Sequence, residues 1–276
     1  MDPEVSVLLH CTAWGGLLEP QVQVELSARF NRQTDPALES HIEEVWTERV
    51  TMEPWLFNGA KFRLHSFSLG PTPILTLRLG LTCYRDFLGT NWSQRARKLR
   101  QRAEVEYGDP LALLAQPLGV GGVLCTADRQ VVLIRRSQQV AEARGLLDIP
   151  GGHPEPKMLQ WREEAVVREL FSSVCAEIRD EVNVPLCSLG EPILMGIALN
   201  HTSAGRPSAE FYISCSLTST EVRELYWQGG IEAQESTEIV FLSQTVRNQS
   251  TPLWSELCPS AKGAVLLYQL VLYCTG

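Results

Sequence analysis

None of the eight cysteines falls in a CxxC or CxH spacing, so neither a zinc site nor a redox pair is signalled. Set among apolar neighbours, as in Val174-Cys175-Ala176, they read as small hydrophobes of a reducing compartment, intracellular and either cytoplasmic or nuclear. Basic residues are in deficit. The 24 Lys plus Arg against 32 Asp plus Glu leave a net charge of -8, which argues against a general binder of nucleic-acid backbone. A nucleotide ligand stays open, because a metal ion reverses the local sign of a site. Long apolar runs are also missing. The most apolar window, Ala264 to Tyr273, is about half of the roughly 20 residues a membrane span needs, and Gln269 interrupts it. The opening MDPEVSVLLH has no positive segment ahead of an apolar one, so no signal peptide is expected. Internal repeats and low-complexity tracts are absent too. What the chain does have is 44% hydrophobic residues spread over 276 positions, enough for one large or two small cores.

Leu38, Ile42, Val45, Trp46 and Val50 recur at helical spacing between Pro36 and Val50. Lys61 to His65 and Ile74 to Leu79 alternate as strands, with Gly70, Pro71 and Pro73 between them. Tyr84 to Trp92 holds too many Gly, Asn and Asp for a regular element. Arg95, Arg97, Lys98, Arg100 and Arg102 follow on a helix, as a solvated face or as a patch that attracts phosphate. A new rhythm begins after Pro117, where a boundary is placed: residues 1–117 form an α+β domain with a possible share in substrate binding, and 118–276 a second domain. There Val120 to Leu124 and Val131 to Arg136 predict a hairpin. Further strands are expected at Ile193 to Leu199, Glu210 to Leu217 and Glu238 to Leu242, with a last helix over Ala261 to Leu272. Strands interleaved with two or three helices indicate an α+β or α/β class.

The informative region runs from Trp161 to Val184. Val167, Leu170, Phe171, Val174 and Ile178 form an apolar helical stripe. Glu177 sits at its edge, and Glu181 lies only about 20° from the line of Val174. Asp180 adds a third carboxylate in the same turn. Like charges at these spacings repel, and anions are disfavoured near a helix C-terminus. A divalent cation relieves both penalties, and hard carboxylate oxygens suit Mg²⁺, Mn²⁺ or Ca²⁺. Upstream, Ile149-Pro150-Gly151-Gly152 makes a turn whose backbone can approach a ligand closely. Downstream, Asn183 is a residue type tolerated in the left-handed conformation that stops a helix.

These residues resemble the Nudix hydrolases, whose signature sets a Gly and a Glu ahead of Arg-Glu-apolar-x-Glu-Glu-x-Gly-apolar on a loop–helix–loop. Ala176-Glu177-Ile178-Arg179-Asp180-Glu181-Val182-Asn183-Val184 overlays the second half, and Gly152 matches the opening Gly. The chain departs from the pattern in four ways. Ala176 stands for the Arg, Asp180 for a Glu and Asn183 for the Gly, while Gly152 precedes Glu177 by 25 positions, more than the pattern spans. The Glu of the first half is out of register, with Glu169 or Glu155 to serve. A general scan for the family can miss such a chain. Outside the box, Trp55 to Asn58, Lys61 to His65, Tyr84 to Trp92, Thr202 to Arg206 and Cys258 to Gly263 closely resemble a branch of the family that acts on UDP-glucose and UDP-galactose.

The resemblance implies an α/β/α sandwich with a mixed sheet, preceded by the smaller α+β domain. It also implies Mg²⁺-dependent hydrolysis of a UDP-sugar to UMP and sugar 1-phosphate, with Mn²⁺ able to replace Mg²⁺. Glu177 and Glu181 are then the metal ligands and catalytic residues, with Asp180 contributing through water and Gly151 offering a carbonyl oxygen. The general base is one of these carboxylates or comes from a distant loop, where Glu235 and Glu238 are candidates. Phosphate falls to Arg135 or Arg136, of which only one can face a site, and Asn200, His201 and Arg206 bracket a loop suited to sugar or phosphate. Uracil falls to Phe57, Tyr84 and Asn91. Two other readings stay open: hydrolysis of another nucleoside diphosphate-X (ADP-ribose, a dinucleotide or coenzyme A), or a non-catalytic scaffold. The expected partner is a small nucleotide sugar, with neither nucleic acid nor membrane, and the sequence does not fix the oligomeric state.

Overall fold

A computed structural model describes residues 2–140, 142–156, 162–243 and 252–273. The first strand, β1 (Val5–His10), is followed by β2 (Val22–Leu26) and helix α1 (Pro36–Met52). Asp35 caps α1 by accepting from the amides of Ala37 and Leu38, and Pro36 occupies the first turn, where no amide partner is missed. Strands β3 (Ala60–Leu69) and β4 (Leu75–Cys83) form the expected antiparallel pair. With β2 parallel to β4 they make a three-stranded sheet. Tyr84 to Gly89, expected to be irregular, is a short helix, α2. Its buried Phe87 and Leu88, and the close seat of Gly89 on Ile42 of α1, outweigh the local propensities. Helix α3 (Ala96–Tyr107) carries the basic run.

The remaining elements are β5 (Gly119–Cys125), β6 (Gln130–Arg136), β7 (Leu147–Asp148), β8 (Gly151–Gly152), α4 (Glu163–Val182), β9 (Ile193–Asn200), β10 (Arg206–Ser214), α5 (Ser219–Gln228), β11 (Ser236–Ser243) and α6 (Pro259–Tyr273). The large sheet runs β1-β9-β10-β5-β6-β11, with β7 on β6 and β8 on β5. It is mixed, because β10 and β5 are parallel while their other neighbours are antiparallel. The boundary expected at 117 falls between the two sheets in sequence, yet β1 crosses it to pair with β9. β10 starts earlier than expected, at Arg206, and β1, β2 and α5 were not foreseen.

Helices cover both faces of the large sheet. On one, α4 approaches so closely that a Cβ at Gly122 would meet Val174 and Ile178 at 3.0 and 3.1 Å. The outer side of α4 meets the small sheet, and Val166, Val167 and Leu170 share a core with Val22, Val24, Leu77 and Leu79. On the other face, α6 packs Ala264, Leu267 and Tyr268 against Val123, Met195 and Ala198. Arg63 on β3 is buried to 2% and donates to the carbonyls of Phe30, Leu111 and Leu114, tying the connection into β5 to the small sheet. Burial holds its guanidinium down to about 10, still charged at neutral pH. Among the described residues no helix is long and apolar enough to cross a membrane. Seven described cysteines are free; Cys274 lies outside the described residues.

Candidate active site

Helix α4 ends as the sequence predicts, with Asn183 at φ 64°. This stop sets Glu177, Asp180 and Glu181 in the last turns, with Glu177 and Glu181 facing the β8 loop. The amide of Gly151 donates to Glu181 Oε2 at 2.9 Å, and Glu181 is only 4% exposed. Thus Gly151, expected to lend its carbonyl, meets this carboxylate through its N–H. Gly152 runs so close to Glu177 that a Cβ there would collide with its carboxylate. The glycine pair is therefore what lets the helix end and the strand approach each other.

The loop between α5 and β11 closes the other side. The Asn183 side chain donates to the Leu225 carbonyl at 2.8 Å, and the Glu232 amide to the Asp180 carbonyl at 3.0 Å. Ser137 donates its amide to the carbonyl of Glu235 at 2.8 Å. Carboxylate oxygens of Glu181, Glu232 and Glu235 consequently lie within 4.8 Å of one another. Burial, then the charges of Glu232, Glu235 and Asp180, push Glu177 up to about 7. Burial and Glu177 raise Glu181 well above the usual carboxylate range, against the pull of the Gly151 amide. Such crowding of hard oxygen donors is what a divalent cation neutralises, and the residues fit one. Asp180 instead forms a two-pronged pair with its neighbour Arg179, both contacts at 2.7 Å.

A cavity of about 440 Å³ adjoins this cluster, sharing Gly151, Gly152 and Glu235 with it. Of the expected substrate residues, Tyr84, Asn200 and Arg206 line it. Asn200 Oδ1 accepts from the Thr202 amide and hydroxyl, and Arg206 pairs with Glu142 while lying over the Phe87 ring. The other three expected residues are elsewhere. Phe57 is 73% exposed and outside the cavity wall. Asn91 is buried, and its amide nitrogen donates to Gln116 Oε1 and the Ser203 carbonyl. Arg135 is taken by Glu238 and Glu256 at 2.8 and 3.0 Å, which also occupies Glu238 away from the acidic cluster. Strand alternation sends Arg136 the opposite way, into the cavity wall, where it pairs with Asp148 at 3.0 Å.

Several residues were missed. Glu232 sits in a loop without periodicity, so only the chain's return to α4 reveals it. Lys61 on β3 of the small sheet feels Glu155, Arg206 and Glu177, and burial above all lowers its pKa. Glu155, one of the two candidates for the displaced signature Glu, therefore acts on Lys61 through its charge, whereas Glu169 is on α4, and neither lines the cavity. His153 in the wall is held well below its usual range by burial and by Lys61 and Arg206, so the imidazole is neutral.

No family model matches the chain, in keeping with its altered box. A cattle protein, uridine diphosphate glucose pyrophosphatase NUDT22, is 55% identical and aligns over 98% of each chain. Nudix hydrolase 9 of Arabidopsis thaliana is 33% identical over 99% of this chain and 93% of its own. A solved MutT protein from Methanosarcina mazei covers 57% of this chain and 94% of its own, at 13% identity and a TM-score of 0.37. Identity to the cattle and Arabidopsis relatives over nearly the whole chain shows the family to be the Nudix hydrolases. The chain belongs to that family, in the branch that holds the cattle pyrophosphatase. Use of a divalent metal is general in the family.

Proposed function

We propose that the chain hydrolyses the diphosphate bond of UDP-sugars such as UDP-glucose and UDP-galactose, giving UMP and a sugar 1-phosphate, with Mg²⁺ and, in its place, Mn²⁺. The observation that carries this reading is the convergence of Glu181, Glu232 and Glu235, with the charge of Glu177 close by, next to a cavity that Glu235 also lines. The substrate class is supported by the name of the cattle relative, similar over nearly its whole length. Glu177 and Glu181 would hold the metal, with Glu232 and Glu235 adding carboxylates from the loop and Asp180 contributing negative charge from the same helical turn. When bound, the ion neutralises diphosphate oxygens and acidifies water.

The chain's own groups do the rest. Glu235 takes the proton of the attacking water in this reading, which is supported by its backbone being pinned by Ser137 and by its share in both the cluster and the cavity. Arg206, Arg136 and Lys61 supply positive charge for phosphate oxygens, and Asn200 a hydrogen bond. Tyr84 offers a ring face. Since Lys61 and Tyr84 come from residues 1–117, the N-terminal part shares in binding substrate rather than only supporting the second half. The test is a hydrolysis panel of UDP-glucose, UDP-galactose, ADP-ribose and NADH with Mg²⁺, Mn²⁺ or chelator. Release of UMP and sugar phosphate from the UDP-sugars, abolished by chelator, is the expected result. Preference for ADP-ribose or NADH, or ligand binding with no product, overturns it.

A further inference from the structure

Alternation along β10 sends Arg206, Ser208 and Glu210 to one face and Pro207, Ala209 and Phe211 to the other. Ala209 and Phe211 enter the core beneath α4, whereas Arg206, Ser208 and Glu210 line the cavity. The stripe runs from the partly exposed Arg206 to Glu210, which has no exposure at all. Neither carboxyl oxygen of Glu210 has a hydrogen-bonding partner among the described residues. The Ser208 hydroxyl is near enough to pull its pKa down somewhat, but it makes no bond of proper geometry. Room for the carboxyl exists because position 121 is glycine: a Cβ there would collide with Glu210 and press on Ile149 at 2.6 Å.

A buried carboxyl without partners is costly, and a core that only had to pack would place Leu or Met there. The other buried groups in the wall are satisfied: Asp148 by Arg136 and the Ile149 amide, Asn200 by Thr202. Glu210 is the exception. Burial pushes it up to about 8, so at neutral pH it is mostly the uncharged acid. The neutral acid presents one O–H donor and one C=O acceptor side by side in a plane.

We propose that Glu210 is a specificity-determining residue that reads the imide edge of the uracil ring, accepting from N3–H and donating to the adjacent carbonyl O4. This rests on the UDP-sugar reading above and assigns the nucleobase to the inner end of the cavity, beside β10 and Gly121. A hexose does not account for the site as well. Its hydroxyls rotate and serve an ionised carboxylate equally, so nothing in them calls for an acid kept neutral by burial. The imide does, because its donor and acceptor are fixed next to each other.

The test measures binding of UMP, N3-methyl-UMP and glucose 1-phosphate by calorimetry, with Mg²⁺, to the full chain and to Glu210→Met and Glu210→Gln. UMP affinity falls roughly 10- to 100-fold in Glu210→Met and stays within about threefold in Glu210→Gln, whose amide keeps a donor and an acceptor. N3-methyl-UMP binds the parent protein as weakly as UMP binds Glu210→Met, and the methionine variant no longer distinguishes the two nucleotides. Glucose 1-phosphate binding is unchanged throughout. The melting temperature of Glu210→Met is equal to or above the parent's, so the lost affinity does not come from unfolding. Undiminished UMP binding in Glu210→Met, or an equal loss for glucose 1-phosphate, overturns the assignment while UDP-glucose hydrolysis by the parent chain leaves the function standing. A parent chain that neither binds UMP nor cleaves UDP-glucose overturns both.

Discussion

Gly151 and Glu181, 30 residues apart, are joined by a 2.9 Å hydrogen bond from amide to carboxylate. This bond makes the β8 loop and the last turn of α4 one unit, so the carboxylates are oriented by backbone rather than by flexible side chains. The collision that any Cβ at 152 would make with Glu177 has the same meaning. The site is preorganised by the absence of side chains.

Removing either principal carboxylate separates binding from chemistry. Glu177→Ala and Glu181→Ala are expected to lower kcat for UDP-glucose by about 100-fold or more, since each takes away a group that holds the metal or moves a proton. UMP binding through the Glu210 contact persists. Steady-state rates alongside nucleotide titrations decide it, and a variant that loses UMP binding in step with kcat contradicts the arrangement.

Gly152→Ala reaches the same carboxylate without touching its chemistry. The added methyl displaces Glu177, and kcat drops by roughly 10-fold or more while the circular dichroism spectrum is kept. An active Gly152→Ala enzyme would mean that Glu177 is not needed where it stands.

Acidity of the site predicts how metal-free protein responds to pH. Glu177 is raised to about 7 and Glu210 to about 8, from an ordinary value of 4.5. The folded state then holds protons that the unfolded chain releases, so their contribution is fully present below about pH 4.5 and is lost as pH rises through 7 and 8. In chelator, the melting temperature falls between about pH 5 and pH 8.5. Mg²⁺ opposes the fall, and Glu177→Gln with Glu210→Gln flattens it. Scanning calorimetry across that interval is the measurement; a rising curve rejects the account.

Neighbouring arginines on β6 are expected to behave as opposites. Arg135 makes partly exposed ion pairs with Glu238 and Glu256, so Arg135→Ala leaves activity within about twofold and costs up to about 1 kcal/mol of stability. Arg136→Ala strips a cation from the cavity wall and leaves Asp148 unpaired, raising KM for UDP-glucose by roughly 10-fold. Parallel kinetics and denaturant titrations on the two variants check this, and an inverted order refutes it.

How much of this could be read from residues alone depended on how local each signal is. The α4 stripe, its acidic end and its Asn183 stop are written within about twenty consecutive positions, and they appear in the structure as expected. Tyr84 to Gly89 was misread because burial of Phe87 and Leu88 on α1 is a tertiary effect. Arg135 and Arg136 could not be separated without knowing which face of β6 meets the cavity. Glu232, Lys61 and Glu210 reach the site through a returning loop, a second sheet and a glycine on a neighbouring strand. None of those relations leaves a spacing in the sequence. Asn91 looked like a ligand residue because a buried asparagine and a binding one have the same local surroundings; its partners Gln116 and Ser203 are distant in the chain.

Pairing of β1 with β9 has a consequence for the order of assembly. Among the described residues, Val5–His10 has its strand partner in Ile193–Asn200, far along the chain. During synthesis it must wait, its amides open to water, while nearly two hundred residues are added. The large sheet is therefore closed at that edge late, by a strand made long before its partner, and a nascent chain halted before β9 carries β1 without the neighbour it joins.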